Sequence, residues 1–319
     1  MNKDRYVVLT VDTEALPKRA ETEHVRRLIW GEHANGTAGV REISGIGNEF
    51  GAKHVFFVDM CGAYAQQDEI IEVIRWLDHD GQDVEMHAHP EYLPEDFWPK
   101  FHFKYRPRLM NQYEDDKDDF VIDYFGNMLA GILNRPLRAF RAGSFRWNAG
   151  TLRALAKHNI PLSFNNSMRA VYNEQCLHSL PTNTPFRWEN GVVEIPMSEK
   201  YILPCLQKNW WFRLQYPQSK FFRFRPWWSS FLPGSVSRNT SFIVYLLHSW
   251  SLMYWDENGY GIYKDDARIE GYRTFLKRLT KDFDVITTTD LMDLIHCGKI
   301  PLSHTEPLAK AELRITRKA

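Results

Sequence analysis

Cysteine is scarce in this chain. Cys61, Cys176, Cys205 and Cys297 are the only four among 319 residues, and they stand far apart. No two have the spacing of a metal-binding pair, and four scattered thiols cannot staple a chain of this size. A zinc-ribbon module and a disulfide scaffold are excluded, and reduced thiols in the cytoplasm are expected. No apolar run reaches the roughly 18 residues of a membrane-spanning helix. No secretory h-region follows Met1-Asn2-Lys3-Asp4-Arg5, where a strand begins at once. Excess charge is absent too. Forty Lys+Arg balance forty Asp+Glu, whereas a nucleic-acid binder needs a cationic surplus. Internal repeats and low-complexity linkers are missing, so one domain over 1–300 with a tail at 301–319 is expected.

Apolar residues are plentiful at 44%, with 11 Trp, 14 Tyr and 20 Phe. Such aromatics fill a large core or stack on sugars. Short apolar runs at 6–11, 54–58, 84–87, 137–140, 161–164, 192–195, 242–247 and 285–287 read as buried strands. Amphipathic helical periods lie at 68–77, 148–158, 268–279 and 290–295. Strands alternating with helices imply a parallel sheet, and seven or eight such units imply an α/β barrel. Two insertions interrupt the rhythm. One, 95–119, ends in the acidic run Glu114-Asp115-Asp116 with Asp118-Asp119 and is expected to loop over the barrel mouth. The other, near 205–235, interleaves Trp210, Trp211, Phe221, Phe222, Trp227 and Trp228 with Arg213, Lys220, Arg223 and Arg225. It could rest on an anionic membrane surface, stack on sugars, or pack on the barrel.

Four polar clusters fall at strand ends, where parallel α/β folds place their active sites. The first is Asp12-Thr13-Glu14. Two carboxylates there can hold a metal, or one can hold it while the other moves a proton. The second is His87-Ala88-His89-Pro90-Glu91. Strand residues i and i+2 point the same way, so His87 and His89 can converge on one ion, although Glu91 could replace His89 if the chain turns. Arg141-Ala142-Gly143 places an arginine at a strand end, where it can clamp a carboxylate such as Asp12. The last cluster puts His248 after the run 242–247, and histidine suits a general acid.

In that order the clusters resemble the polysaccharide deacetylases of the NodB-homology type, carbohydrate esterase family 4. The motifs are Thr10-Val11-Asp12-Thr13-Glu14, His87-Ala88-His89, Arg141-Ala142-Gly143 and Leu246-Leu247-His248. The strand Ala52-Lys53-His54-Val55-Phe56-Phe57-Val58 and the ending Phe283-Asp284-Val285-Ile286-Thr287 add to the likeness, which spans about residues 5–298. It implies an irregular (β/α)7–8 barrel of that type. It also implies Asp12 as general base, Arg141 as its orienter and His248 as general acid. Glu14, His87 and His89 would hold a divalent ion, Zn2+ by preference. The pattern departs from the family in its Asp-x-Glu spacing, its His-x-His, and the lack of an evident acidic partner for His248.

The resemblance further implies hydrolysis of the N-acyl group of a sugar. Within the cytoplasm or at the inner membrane face, the substrate would be a nucleotide- or lipid-linked precursor of lipopolysaccharide or capsule. Peripheral membrane contact would run through 209–231. A deformylase, a cyclic amide hydrolase, or a non-catalytic glycan-binding barrel are the alternatives.

Overall fold

The computed structural model describes residues 4–14, 23–103, 109–201, 211–217, 223–225, 235–237, 240–255 and 261–312. All eight expected strand runs overlap a strand, the last of them only at Val285. β1 is Tyr6–Thr13, β2 Val55–Asp59, β3 Asp83–Ala88, β4 Ala139–Ala142 and β5 Leu162–Ser163. They are followed by β6 Phe186–Trp188, β7 Val193–Glu194, β8 Glu199–Tyr201, β9 Trp211–Arg213, β10 Arg223–Arg225 and β11 Ser235–Ser237. The last are β12 Phe242–His248, β13 Met253–Trp255, β14 Gly261–Lys264, β15 Asp284–Val285 and β16 Thr305–Glu306. The main sheet runs β12-β1-β2-β3-β4-β5-β7-β6-β16, with β15 also on β1. Every pairing in it is parallel except β6 with β7.

All eight residues of β1 are buried, as expected of a parallel strand covered on both faces. The helices are α1 Val40–Glu49, α2 Gln67–His79, α3 Phe97–Lys100, α4 Asp115–Leu133, α5 Ala149–Lys157, α6 Met168–Tyr172, α7 Asp266–Asp282 and α8 Thr288–His296. α2 buries Ile70, Val73, Ile74 and Leu77, the stripe its sequence period predicts. Asn148 caps α5 by accepting from the Thr151 amide, and Thr287 caps α8 through Asp290 N–H.

The sheet curls without a continuous ladder between its ends. Past β7 the chain lies beside the segment after β9, where Leu214 N–H donates to Ser198 O (2.9 Å). Leu246 N–H donates to Leu214 O (3.0 Å), and Tyr216 N–H donates to Leu246 O (2.9 Å). These bonds, with a bridge between Gln215 and Leu246, carry the curl back to β12 and make an irregular barrel.

The acidic run at 114–119 is not part of a loop. Asp115, Asp116 and Asp118 form the first turn of α4, where the helix dipole favours negative charge. The helix's apolar stripe, Val121, Ile122, Phe125, Leu129 and Leu133, begins only after the acids. α1 also lies outside the expected helices. Beyond Pro301, Thr305–Glu306 pairs in parallel with Arg187–Trp188, so that stretch is bonded to the sheet. Much of 209–231 lies outside the described residues, and with it the expectation of a membrane-contacting strip. No helix among the described residues is long and apolar enough to cross a membrane.

One buried acid has a consequence for stability. Glu194 is fully buried. Its carboxylate accepts from Ser163 Oγ (2.6 Å), the Asn165 and Asn166 amides (2.7 Å each) and Trp188 Nε1 (3.2 Å). Burial outweighs these donors and raises its pKa to about 7. The folded state therefore binds a proton that the unfolded chain has already lost between about pH 4.5 and 7, so its contribution to stability falls as pH rises through that window. The thermal midpoint of the wild type, measured relative to Glu194→Gln, should fall between pH 5 and 8. A constant difference between the two would contradict this.

Candidate active site

Strand register sets the site. Pairing of β1 with β12 places Asp12 opposite His248. Pairing of β2 with β3 places Asp59 opposite His87, and β3 with β4 places His87 opposite Arg141. Between them, β1 and β2 pair with Asp12 opposite Phe57, two residues before Asp59. The side chains therefore gather near the carboxyl ends of five adjacent strands, β12-β1-β2-β3-β4, where such folds do chemistry.

Glu14, His87 and His89 are all buried and offer ligand atoms that lie within 4.8 Å of one another. His87 Nε2 is 3.1 Å and His89 Nε2 3.2 Å from Glu14 Oε1. Each imidazole is held from behind. His87 Nδ1 is 2.7 Å from the Arg141 carbonyl, and His89 Nδ1 is 2.9 Å from Glu91 Oε1. Those acceptors fix the proton on Nδ1 and leave the Nε2 lone pairs facing Glu14. His89 Nε2 is buried and makes no hydrogen bond. An orphaned imine nitrogen beside a carboxylate and a second imidazole is a donor set that fits a divalent ion. Glu91 sits behind His89 as its hydrogen-bond partner. Burial would raise the Glu14 carboxyl, but His89 and His87 hold it well below the usual range.

Asp12 lies beside this trio. Arg141, fully buried, donates from one guanidinium nitrogen to Asp12 Oδ1 at 2.5 Å. Its other nitrogens donate to Thr10 Oγ1 (3.1 Å) and the Phe164 carbonyl (3.4 Å). The guanidinium also stacks 4.3 Å above the Phe57 ring, so nearly all its freedom is spent on orienting Asp12. Asp12, Glu14 and His248 also present atoms all within 4.8 Å of one another. The His248 ring stacks on Trp250 at 4.9 Å. Burial lowers its pKa, against the pull of Glu14 and Asp12, which favours a neutral imidazole in the resting site. The six residues singled out in the sequence thus meet in one place.

The sequence reading missed several supports. Asp59 accepts from the amides of Cys61 (3.0 Å), Gly62 (3.1 Å) and His89 (3.0 Å). It ends an apolar strand as Asp12 does, which was its available signal. Asn165 Oδ1 accepts from Ala142 N–H (2.6 Å), and Glu194 clamps Asn165 in turn. Gly143 has no room for a side chain. A Cβ there would lie 2.4 Å from His89 Nδ1. Gly143→Ala should therefore push the His89 ring off its position and weaken any divalent-ion binding at the trio by about tenfold or more, the usual effect of disturbing a ligand's support. Calorimetric zinc titration checks this, and unchanged affinity would contradict it.

No protein-family model matches the chain, and no curated protein matches it. Solved structures do. A "putative polysaccharide deacetylase" from Mycobacterium smegmatis superposes with TM-score 0.57 at 15% identity, over 95% of this chain and 94% of that one. The 4-alpha-glucanotransferase of Thermococcus litoralis superposes with TM-score 0.52 at 13% identity, over 94% of this chain and 39% of that one. One architecture thus carries different chemistries, and the choice between them rests with the site. The chain shares the fold of these structures, an irregular α/β barrel in a single domain, and the match to the deacetylase runs over nearly the whole of both chains.

Proposed function

We propose that the protein is a metal-dependent hydrolase of C–N bonds that removes the N-acyl group, an acetyl group by preference, from a sugar or glycan precursor. The observation that carries this reading is the Asp12–Arg141 pair set beside the Glu14, His87 and His89 donors, with His248 in register across β1 and β12. Glu14, His87 and His89 would hold the ion, zinc by preference for two imidazoles and one carboxylate. When bound, such an ion supplies Lewis acidity, making water easier to deprotonate and a carbonyl oxygen easier to polarise.

The chain's own residues then divide the work. Asp12, held in one orientation by Arg141, takes a proton from the attacking water. The water oxygen forms a bond to the acyl carbon as the C–N bond breaks. His248, after protonation, gives its proton to the departing nitrogen, so acetate and an amino sugar result. The set of base, orienter and acid supports turnover over simple glycan binding, which needs none of the three. The proposed substrates are nucleotide- or lipid-linked precursors of lipopolysaccharide or capsule, handled in the cytoplasm or at the inner membrane face.

The test is amine release from N-acetylated and N-formylated sugars, with and without added zinc. Zinc-dependent release from the acetyl compound is expected. Preference for the formyl compound would make the protein a deformylase, and release that ignores zinc and chelators would end the metal-dependent reading.

A further inference from the structure

We infer that the mouth of this site binds an oxyanion carried by the substrate, a phosphate or a ring carboxylate, through Arg146 and Arg169. The identity of the site rests on the reading just given, whereas the anion binding does not require turnover.

Four arginines reach the carboxyl end of the barrel. Arg141 ends β4, and Arg146 lies in the turn just after it. Arg169 stands on α6, which follows β5, and Arg213 ends β9 beside the C-terminal half of β12. Two of them are committed. Arg141 holds Asp12. Arg213 donates to Glu199 Oε1 at 2.8 Å and to Ser167 Oγ at 2.5 Å, and its guanidinium lies 4.1 Å over the Phe145 ring.

The side chains of the other two make no hydrogen bond or ion pair among the described residues. The second oxygen of Glu199 is taken by the Arg169 backbone amide at 2.9 Å, so the half-buried Arg169 guanidinium gains no ion pair among the described residues. Arg146 Nε is buried and makes no hydrogen bond. The nearby carboxylates are already engaged: Asp12 by Arg141, Glu199 by Arg213, Glu91 by His89, and Glu14 by the two histidines. Removing guanidinium groups from water without an acceptor is unfavourable, and their planar donor forks match phosphate and carboxylate oxygens.

The backbone there is also held against its preference. Ser144 and Phe145 have φ of 52° and 57°, consecutive left-handed residues of the kind that collect at functional sites. This turn sets Phe145 near both Arg141 and Arg213, at 5.8 and 4.1 Å, and directs the chain into Arg146. Electrostatics agree. Burial and then Arg213 lower the Arg169 pKa by more than Glu199 restores it, a cost that a bound anion would relieve. Arg146 N–H donates to the Gly143 carbonyl (3.0 Å), and Gly143 packs directly on the His89 ring, so Arg146 stands at the rim of the metal-ligand trio. A neutral N-acetyl sugar makes no use of this charge.

Calorimetric titration of the zinc-loaded full chain tests the inference. The probes are N-acetylglucosamine, its 1-phosphate and N-acetylglucosaminuronic acid. At least one anionic probe should bind about tenfold tighter than the neutral sugar, as bidentate charge-assisted bonds imply. The advantage should vanish in the double variant R146Q/R169Q and partly survive in Arg169→Lys, with zinc content and neutral-sugar affinity unchanged. A gain confined to the 1-phosphate identifies a phosphate, and one confined to the uronate identifies a ring carboxylate. Equal binding of all three probes, or an advantage that persists in the double variant, would overturn the inference. Anion preference without any turnover would instead sink the hydrolase reading and leave this one standing.

Discussion

Asp12→Asn should lower kcat by about 10²–10⁴-fold, the range for loss of a general base, while zinc still binds. The amide keeps the shape of the side chain and can still accept a bond from Arg141. It cannot take a proton from water. A second effect accompanies the first. Arg141 is fully buried and its charge is balanced by Asp12, so neutralising the partner leaves an uncompensated guanidinium in the core. Loss of one member of a buried pair costs about 3–5 kcal/mol. Its remaining acceptors, Thr10 Oγ1 and the Phe164 carbonyl, should place the loss toward the lower end. Single-turnover rates, metal content by mass spectrometry and thermal unfolding together check the prediction. Full activity in a zinc-bearing Asp12→Asn protein would remove Asp12 from the mechanism.

Glu14→Ala should abolish both zinc binding and turnover, and excess zinc should not restore either. Glu14 is the one carboxylate facing both Nε2 atoms, and without it two neutral imidazoles remain, too few to hold a catalytic zinc tightly. Chelation of the wild type should give the same loss, but reversibly. The two variants differ in kind: Asp12→Asn keeps the ion and loses the reaction, whereas Glu14→Ala loses the ion first. The opposite pattern would mean that the two carboxylates exchange roles.

Much of this was legible in the sequence because parallel buried strands read as continuous apolar runs. The runs that lead to Asp12, His87 and Arg141 each mark a strand, and adjacent parallel strands bring their carboxyl ends, with these residues, to one end of the sheet. The role of Glu91 was not legible. A 3₁₀ turn at Pro90–Tyr92 folds the carboxylate back behind the His89 ring, and spacing alone allowed Glu91 either to replace His89 or to support it. Helix α4 escaped because its acidic first turn has the composition of a solvated loop, while its apolar stripe starts one turn later. Glu194 escaped for another reason. Its partners include two backbone amides, and main-chain donors leave no mark in composition. That Arg146 and Arg169 pair with no carboxylate among the described residues is likewise a property of the fold, since it depends on which carboxylates the other arginines have already taken.

The closure between β7 and β12 separates rigidity from access in this barrel. β1 and β12 share seven registered residue pairs, whereas among the described residues the return from the β7 side shows a few backbone bonds, at Ser198, Leu214, Tyr216 and Leu246. Sparse pairing is where local opening requires least free energy. The same stretch carries Arg213. Breathing of the barrel there would therefore shift Arg213 and its hold on Glu199 and Ser167, while Asp12 and His248, partners in the seven-pair ladder, keep their places.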